Sequence, residues 1–178
     1  MSYSLNLHTA KRRLLGLLLA WPLAGVAGGR DDIPLAGLQR WGSGQFRRFG
    51  FLVYDASLWV SGADPLRPPL ALNLSYHWSI AGRDITVASV KEIRNLGLAE
   101  SARLELWGKQ MAALFPDVRP GDQLLGHYLP DAAEFYFNGR YIGRIEDPAF
   151  AHAFFAIWLD ARTSAPELRA ALLRSPAG

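Results

Sequence analysis

The sequence predicts an α+β domain in which one antiparallel β-sheet carries helices packed on one face. Segments of strand, helical, strand and again helical character follow one another along the 178-residue chain. In the second strand block, Asn138-Gly139 separates two apolar runs, and this dipeptide is typical of the tight turn of an antiparallel hairpin. Half of the residues are hydrophobic, which is enough to bury the core of one domain.

The first strand block lies before about residue 80. Residues 46–60 (FRRFGFLVYDASLWV) are rich in aromatic and β-branched residues, and Gly50 among them is predicted to form a bulge or a point of close approach. Residues 70–78 (LALNLSYHW) alternate leucine with smaller or polar residues, which predicts a half-buried strand. The proline-dense stretch 65–69 (PLRPP) is predicted to be a loop between the two.

The middle of the chain has helical character. Ser89 followed by Glu92 has the spacing of a capping box, and Gly97 supplies a stop signal. Apolar residues then recur at three- and four-residue steps over residues 101–115, so one stripe of this helix is expected to face a core. The stripe consists of Leu104, Trp107, Met111, Leu114 and Phe115. Pro116 is predicted to end the helix.

Three short strands and two helices are predicted in the last third of the chain. The strands are residues 122–129, 134–137 and 140–145. Asp147-Pro148 is typical of a helix start, and residues 150–159 are apolar almost all round, which predicts a helix buried against the sheet. At about ten residues this helix is too short to cross a bilayer. Pro166 begins a final short helix that ends near Leu173.

The first 27 residues have the pattern of an export leader. Three basic residues, 11–13, precede the uncharged apolar run 14–27 (LLGLLLAWPLAGVA), which ends in small residues where a signal peptidase could cut. Pro22 interrupts the run, which is also short for a spanning helix. We therefore expect residues 28–178 to be a single periplasmic domain with no membrane span. An uncleaved anchor, a cytosolic helix and export by the twin-arginine route remain alternatives.

The charge balance changes once the leader is set aside. The leader holds three of the 19 basic residues and none of the 16 acidic ones, so residues 28–178 carry 16 of each sign. A neutral domain has no general electrostatic attraction for a phosphate backbone, and we expect no nucleic-acid partner.

Several kinds of catalytic and cofactor site are not indicated. The chain has no cysteine, which excludes disulfides, thiolate metal sites and thiol nucleophiles, and it has none of the glycine-rich, P-loop, zinc-protease or serine-elbow motifs. Its four histidines are far apart in sequence. We predict neither a metal nor a cofactor.

Polar side chains within the apolar strands are the remaining candidates for a site. They are Arg47, Arg48, Tyr54, Tyr76, Tyr128, Tyr136 and Tyr141. An arginine that points into an apolar cleft can bind a carboxylate or an enolate, because it stays charged and offers two parallel donors. A solvated strand edge or a structural ion pair is the alternative for each of them.

Four segments together resemble the bacterial chalcone-isomerase-like family of small exported proteins. They are GSGQFRRFGFLVYDASLWV, FPDVRPGDQLLGHYLP, EFYFNGRYIGRI and DPAFAHAFFAIWLDARTSAPELRAALL. The resemblance runs over about residues 35–174 and implies the chalcone isomerase fold, an open-faced sandwich of antiparallel sheet and helices around a cleft.

The resemblance also implies candidate ligand-binding residues. Plant chalcone isomerases close a flavanone ring with the help of an arginine from an early strand, whereas their fatty-acid-binding relatives hold a carboxylate with an arginine and a tyrosine. Arg47 is the candidate arginine, and Tyr54 stands where the isomerases have a threonine, which favours the binding relatives. With Tyr76 and Tyr128, these residues form the predicted ligand-binding set.

We therefore expect a non-catalytic protein that binds a small apolar or amphipathic, fatty-acid-like ligand between sheet and helices. A kink near Gly50 is predicted to bring Arg47 and Tyr54 within reach of one ligand group. One alternative is an intramolecular isomerase or lyase acting on a phenolic enone, with Arg47 stabilising an enolate. The other is an interaction module for a protein partner, whose cleft is filled by its own side chains.

Overall fold

The computed structural model describes residues 35–174, and the predicted leader lies outside them. Six strands form one antiparallel sheet in chain order: β1 (Gln39–Arg48), β2 (Phe51–Val60), β3 (Leu70–Tyr76), β4 (Gln123–Tyr128), β5 (Ala133–Phe137) and β6 (Arg140–Ile145). Four helices accompany it: α1 (Gly82–Asn95), α2 (Ser101–Leu114), α3 (Pro148–Leu159) and α4 (Pro166–Leu172). The predicted α+β fold is confirmed.

The core lies between the inner face of the sheet and the helices. Alternate residues of the strands supply its sheet side, as Leu58, Leu72 and Phe135 do, and all three are buried. Helix α3 lies on β4 and β5 and also contacts α1, which explains why its sequence is apolar almost all round. No helix within residues 35–174 is both long enough and apolar enough to span a membrane.

Several predicted elements are confirmed. The stripe of α2 turns its buried residues to the core, including Trp107, which is fully buried. Asn138 and Gly139 both have positive φ, at 49° and 83°, as the turn between β5 and β6 requires. Asp147 caps α3 by accepting hydrogen bonds from the backbone N–H groups of Ala149 and Phe150.

The role predicted for Gly50 is wrong. The segment 46–60 is two strands rather than one, and Phe49-Gly50 is the tight turn between them, with φ of 51° and 83°. The irregularity in pairing lies in β2 instead: Phe46 pairs with Tyr54 and the next residue, Arg47, pairs with Leu52, so that Val53 is an extra residue. Phenylalanine is unusual at a positive φ, which is why the sequence did not indicate a turn.

The capping box predicted at Ser89 is also wrong. Helix α1 begins at Gly82, seven residues earlier, and Ser89 lies within it, where its hydroxyl donates to the carbonyl of Ile85. A backbone N–H group in the first turn of α1 has a hydrogen-bond acceptor from far along the chain: Asp117 Oδ1 accepts from the N–H of Gly82 at 2.8 Å.

Candidate functional site

A cavity of about 570 Å³ opens between the β1–β2 end of the sheet and helices α1 and α3. Seven of the residues that line it are aromatic: Phe46, Phe51, Tyr54, Tyr76, Trp78, Phe154 and Trp158. Helix α1 contributes the small residues Ala88 and Ser89 to the opposite wall. These small residues of α1 leave space between the helix and the aromatic side chains of the sheet.

The register of the sheet places two tyrosines side by side in this cavity. Tyr54 of β2 pairs with Tyr76 of β3, and their rings meet edge to face with centroids 5.8 Å apart. Phe46 of β1 stacks on the other side of Tyr54 at 4.9 Å. The extra residue Val53 lets the backbone of β2 bend here, so that Val53 and Tyr54 both line the cavity.

Both tyrosine hydroxyls remain protonated over the whole neutral range. Burial is the main cause that raises the pKa of Tyr54, the hydrogen bond from Trp158 lowers it in part, and the charge of Glu92 raises it further. The pKa of Tyr76 is raised by burial and by its neighbour Tyr54. Trp158 Nε1 donates to the Tyr54 oxygen at 3.0 Å, so the Tyr54 proton is directed elsewhere. Each hydroxyl can thus act as a neutral hydrogen-bond donor.

The rim of the cavity is charged. Arg48 is the one cation among the described residues that line the cavity, and Asp84 and Glu92 are the two carboxylates. Asp84 forms an exposed ion pair with Arg83, at 3.4 Å. The cavity is therefore lined mainly by apolar side chains, has two neutral donors on β2 and β3, and carries the exposed charges of Arg48 and Asp84 at its rim and the half-buried Glu92 in its wall.

Arg47 does not lie where the prediction placed it. It follows Phe46 directly, so its side chain is on the opposite face of the sheet from Tyr54. There it is exposed and donates to the carbonyl of Gly50 at 3.3 Å and to Gln45 Oε1 at 3.0 Å. The predicted meeting of Arg47 and Tyr54 in one cleft is wrong, because the extra residue Val53 sets Tyr54 opposite Phe46, and Arg47, the next residue of β1, points to the other face.

A polar cluster forms on that outer face beside Arg47. Asp55 Oδ2 lies 2.6 Å from His77 Nε2, and Gln45 Nε2 donates to Asp55 Oδ1 at 3.0 Å. The hydrogen bond with His77 is the main cause that lowers the pKa of Asp55. Both members of the pair are nearly half exposed, so this cluster is an ordinary solvated sheet face.

Tyr128 also lies away from Tyr54 and Tyr76. Its ring stacks on Phe155 with centroids 4.9 Å apart and an angle of 8° between the planes, and it does not line the cavity. Of the four predicted ligand-binding residues, the structure brings together Tyr54 and Tyr76. Within residues 35–174 no three histidine, aspartate or glutamate side chains are close enough to hold a metal ion.

Two tryptophans of this site, Trp78 and Trp158, were not predicted and lie in the cavity wall. Arg48 was among the polar strand residues named as candidates but not in the predicted ligand-binding set, and it lines the cavity in place of Arg47. The turn at Phe49-Gly50 pairs Arg48 with Phe51, and the extra residue Val53 of β2 brings this pair to the face of Tyr54. The tryptophans carry no sequence signal that separates them from ordinary core residues.

Two known proteins are similar to this chain, one in sequence and one in fold. A protein of Haemophilus influenzae whose function is uncharacterized is 31% identical over 142 residues, which cover 79% of this chain and 70% of that protein. The crystal structure of a fatty-acid binding protein from Arabidopsis thaliana superposes with a TM-score of 0.62 at 11% identity, over 77% of this chain and 87% of that one, which establishes a common fold. The sequence pattern described as chalcone isomerase-like matches residues 36–174, nearly all of the described residues. The chain belongs to the chalcone isomerase-like family.

Proposed function

We propose that this protein binds a small amphipathic ligand, with a fatty-acid-like apolar body and an oxygen-bearing polar end, in the cavity beside Tyr54 and Tyr76. The observation that carries the proposal is the open cavity itself. Its volume of about 570 Å³ lies within the range of roughly 300–1,000 Å³ that small-molecule sites occupy. The alternative hypothesis of an interaction module required this cleft to be filled by the protein's own side chains.

The apolar wall supplies the driving force for binding the ligand body. The cavity lining is mainly aromatic and aliphatic, with Leu74, Leu124 and Phe154 at its inner end. A hydrocarbon chain in contact with these side chains leaves water, and each buried CH₂ group is worth about 0.8 kcal/mol. Length and shape of the ligand body therefore control affinity.

The polar end of the ligand has two sets of partners. The Tyr54 and Tyr76 hydroxyls offer neutral donors, which suit a carbonyl, hydroxyl or carboxylate oxygen. Arg48 at the rim is the partner for a charged carboxylate, because an ionised carboxylate would not enter the apolar interior without a cation. The Arabidopsis protein of the same fold is named for binding fatty acids, which supports this choice of ligand class.

The isomerase alternative has less support. It needs a cation next to the reacting group; Arg47, which was assigned to that role, faces away from the cavity, and Arg48, which lines it, is exposed at the rim. Tyr54 and Tyr76 have raised pKa values and are poor general bases at neutral pH. The geometry therefore favours binding.

A titration of the delipidated full chain with hexadecanoic acid and with hexadecanol tests the proposal. Displacement of the neutral fluorophore Nile red reports occupation of the cavity. We expect both ligands to displace it. Arg48→Ala should weaken the acid by about two- to fivefold and leave the alcohol unchanged, because an exposed ion pair is worth up to about 1 kcal/mol.

Arg47→Ala is the matched control, since the adjacent arginine points to the other face of the sheet. Its affinity for the acid should equal that of the unchanged chain. If neither ligand displaces Nile red, the proposal is overturned. An equal loss of affinity for the acid in the Arg47 and Arg48 variants would refute the assignment of Arg48 as the partner of the carboxylate.

We further propose that residues 1–27 are a cleaved leader and that the protein acts in the periplasm. The basic and apolar pattern of this segment supports the proposal. Amino-terminal sequencing of the protein recovered from a periplasmic fraction tests it. A start near residue 28 is expected, and recovery of the intact chain from the cytosol alone would refute it.

A further inference from the structure

Four large apolar side chains surround the mouth of the cavity and are exposed to solvent. Phe51 and Trp78 line the cavity, and Phe49 and Val87 line a groove that shares Arg48 and other rim residues with it. The exposed fractions are 89% for Phe49, 61% for Phe51, 50% for Trp78 and 65% for Val87. We call these four residues the mouth patch. Exposed apolar groups gathered at one place mark an interaction surface.

The backbone at Phe49 is strained for a residue that makes so little contact with the fold. Its φ of 51° is almost that of Asn138, 49°, which holds the same position in the turn between β5 and β6. Asparagine tolerates this conformation, and a bulky aromatic residue does not. Because the Phe49 side chain is mostly exposed, core packing does not account for the choice of phenylalanine.

The groups beside the mouth patch give it a positive charge. Arg48 and Lys91 line the same groove, and neither forms an ion pair within residues 35–174. Of the carboxylates there, Asp84 is paired with Arg83, and Glu92 is half-buried in the cavity wall. The Arg48 guanidinium lies 5.5 Å from the centre of the Phe49 ring, so a cation accompanies the most exposed aromatic group.

We propose that the mouth patch docks on an anionic lipid bilayer. Aromatic side chains at the tip of a hairpin, with arginine and lysine beside them, match the two requirements of interfacial binding: apolar groups that enter the acyl boundary and cations that face the anionic headgroups. Docking in this orientation sets the mouth of the cavity against the membrane. Phe49 and Val87 do not line the cavity, so their contribution to vesicle binding does not depend on the ligand that the cavity holds.

Flotation of the full chain with vesicles of POPC and POPG tests the proposal, with pure POPC for comparison. We expect binding to the anionic vesicles that falls as salt is added. Phe49→Asn should weaken it about tenfold or more, in line with losing one buried phenylalanine side chain, while the turn accepts asparagine. Leu106→Asn is the matched control, because Leu106 is 55% exposed on α2 and lines neither the cavity nor the groove.

A site-specific label keeps the test independent of any lipid affinity of residues 1–34. The chain has no cysteine, so Phe51→Cys and Leu106→Cys each give a single position for the environment-sensitive fluorophore NBD. With anionic vesicles, the emission of the label at residue 51 should shift to the blue, and that at residue 106 should not. Adding Phe49→Asn should reduce the shift at residue 51.

Three outcomes would overturn the proposal. The first is an equal emission shift of the labels at residues 51 and 106. The second is flotation of the Phe49→Asn variant as strong as that of the unchanged chain. The third is a dimer in sedimentation in which the label at residue 51 is already shielded from water without lipid. The last outcome would assign the mouth patch to a second copy of the chain.

Discussion

At the scale of single residues, Asp147 joins two helices through one carboxylate. Its Oδ1 accepts from the N–H groups of Ala149 and Phe150, at 2.8 and 3.2 Å, and its Oδ2 accepts from Trp107 Nε1 at 2.9 Å. Burial acts to raise the pKa of Asp147, but these hydrogen bonds outweigh it and hold the pKa below its ordinary value. Asp147 is thus both the cap of α3 and the only described hydrogen-bond partner of the Trp107 indole.

Replacing Asp147 by alanine should lower the free energy of unfolding by about 2–4 kcal/mol. The loss of a helix cap costs about 1 kcal/mol, and the indole N–H of buried Trp107 would lose its acceptor, which costs roughly 1–3 kcal/mol more. Urea denaturation measures the difference. Glu100→Ala is the control, since Glu100 occupies the N-cap of α2 without a side-chain hydrogen bond. A loss below 1 kcal/mol would contradict the assigned role.

The effect of Asp147→Ala should also depend on pH. A carboxyl group whose pKa is lowered in the folded state stabilises the fold fully above its unfolded pKa of about 3.9, and this stabilisation is lost as the pH falls through the folded pKa. The difference between the two proteins should therefore be constant near pH 7 and shrink below about pH 4. A difference that grows on acidification would show that another group is responsible.

The two adjacent arginines show which part of the site the sequence could predict. Arg47 was predicted for the cleft and the structure places Arg48 there instead, whereas the predicted tyrosines Tyr54 and Tyr76 both line the cavity. Which arginine faces the cleft depends on the turn and on the bulge together, because each residue along a strand reverses the face. With the turn at Phe49-Gly50 alone, Arg47 would share the face of Tyr54, and the extra residue Val53 selects Arg48 instead. The turn lacks the usual asparagine or aspartate, so the sequence did not show where β1 ends.

At the scale of elements, two hairpins have the same kind of tight turn with different residues at its first position. Asn138 in the turn between β5 and β6 accepts from the N–H of Gln123 and donates to Asp122, at 2.8 and 2.9 Å. Phe49 in the turn between β1 and β2 makes a ring contact with Arg48 and is otherwise solvated. The first turn stabilises the sheet, and the second carries an exposed aromatic group at a cost in stability.

We expect Phe49→Asn to raise the free energy of unfolding by about 1 kcal/mol, because relieving a left-handed conformation at a bulky residue is worth roughly that amount. The reciprocal change, Asn138→Phe, should lower it by more, since two hydrogen bonds are lost as well. Chemical denaturation of both variants checks the pair. If Phe49→Asn destabilises the protein, the aromatic ring contributes to the fold and its choice does not require a partner.

Helix α4 lies on the edge strand β1 through two glycines. A Cβ atom at Gly42 would collide with the backbone carbonyl of Leu172, and one at Gly44 would lie 2.7 Å from the Cβ of Ala171. The indole of Trp41 adds a hydrogen bond to the carbonyl of Leu173, at 3.2 Å. This close approach fixes α4 beside the loop that completes the cavity wall.

Gly42→Ala should therefore destabilise the domain by about 1–3 kcal/mol, the usual cost of overpacking against a rigid neighbour. Hydrogen exchange should show the loss concentrated in α4, because the clash is with its backbone. Gly62→Ala is a suitable control, since nothing lies within 4 Å of a Cβ atom built at Gly62. Unchanged protection of α4 would contradict the argument.

The start of α1 shows a limit of sequence reasoning at this scale. Its N-cap residue, Ala81, has no capping side chain, and the acceptor for the Gly82 N–H comes from Asp117, 35 residues away. Local spacing therefore pointed to Ser89, which is a helix interior residue. The strands and the other helices were predictable because their signals are local: apolar alternation, Asn-Gly and Asp-Pro.

At the scale of the whole molecule, the cavity is a product of the order of the sheet. Strands follow in chain order, so β1 to β3 lie together at one side of the sheet, while α3 lies on β4 and β5. Space remains beside the first three strands, where α1 presents small side chains. The sequence predicted the layers, but the space depends on long-range packing between α1, α3 and the sheet, which no local pattern contains.

This space leads to a prediction for the whole protein, which rests on the proposed function: an occupied cavity should stabilise the fold. A ligand that binds only the folded state, at a free concentration of one hundred times Kd, adds about 2.7 kcal/mol. For a domain of this size, Tm should rise by about 5–10 °C with hexadecanoic acid.

Ala88→Trp should abolish the rise, because the indole would occupy the cavity that Ala88 lines. Ala102→Trp on α2 is the control, because Ala102 is exposed and does not line the cavity. Its Tm should rise with the ligand as much as that of the unchanged chain. Calorimetric melts of the three proteins with and without ligand measure this, and an equal rise in both tryptophan variants would place the ligand elsewhere.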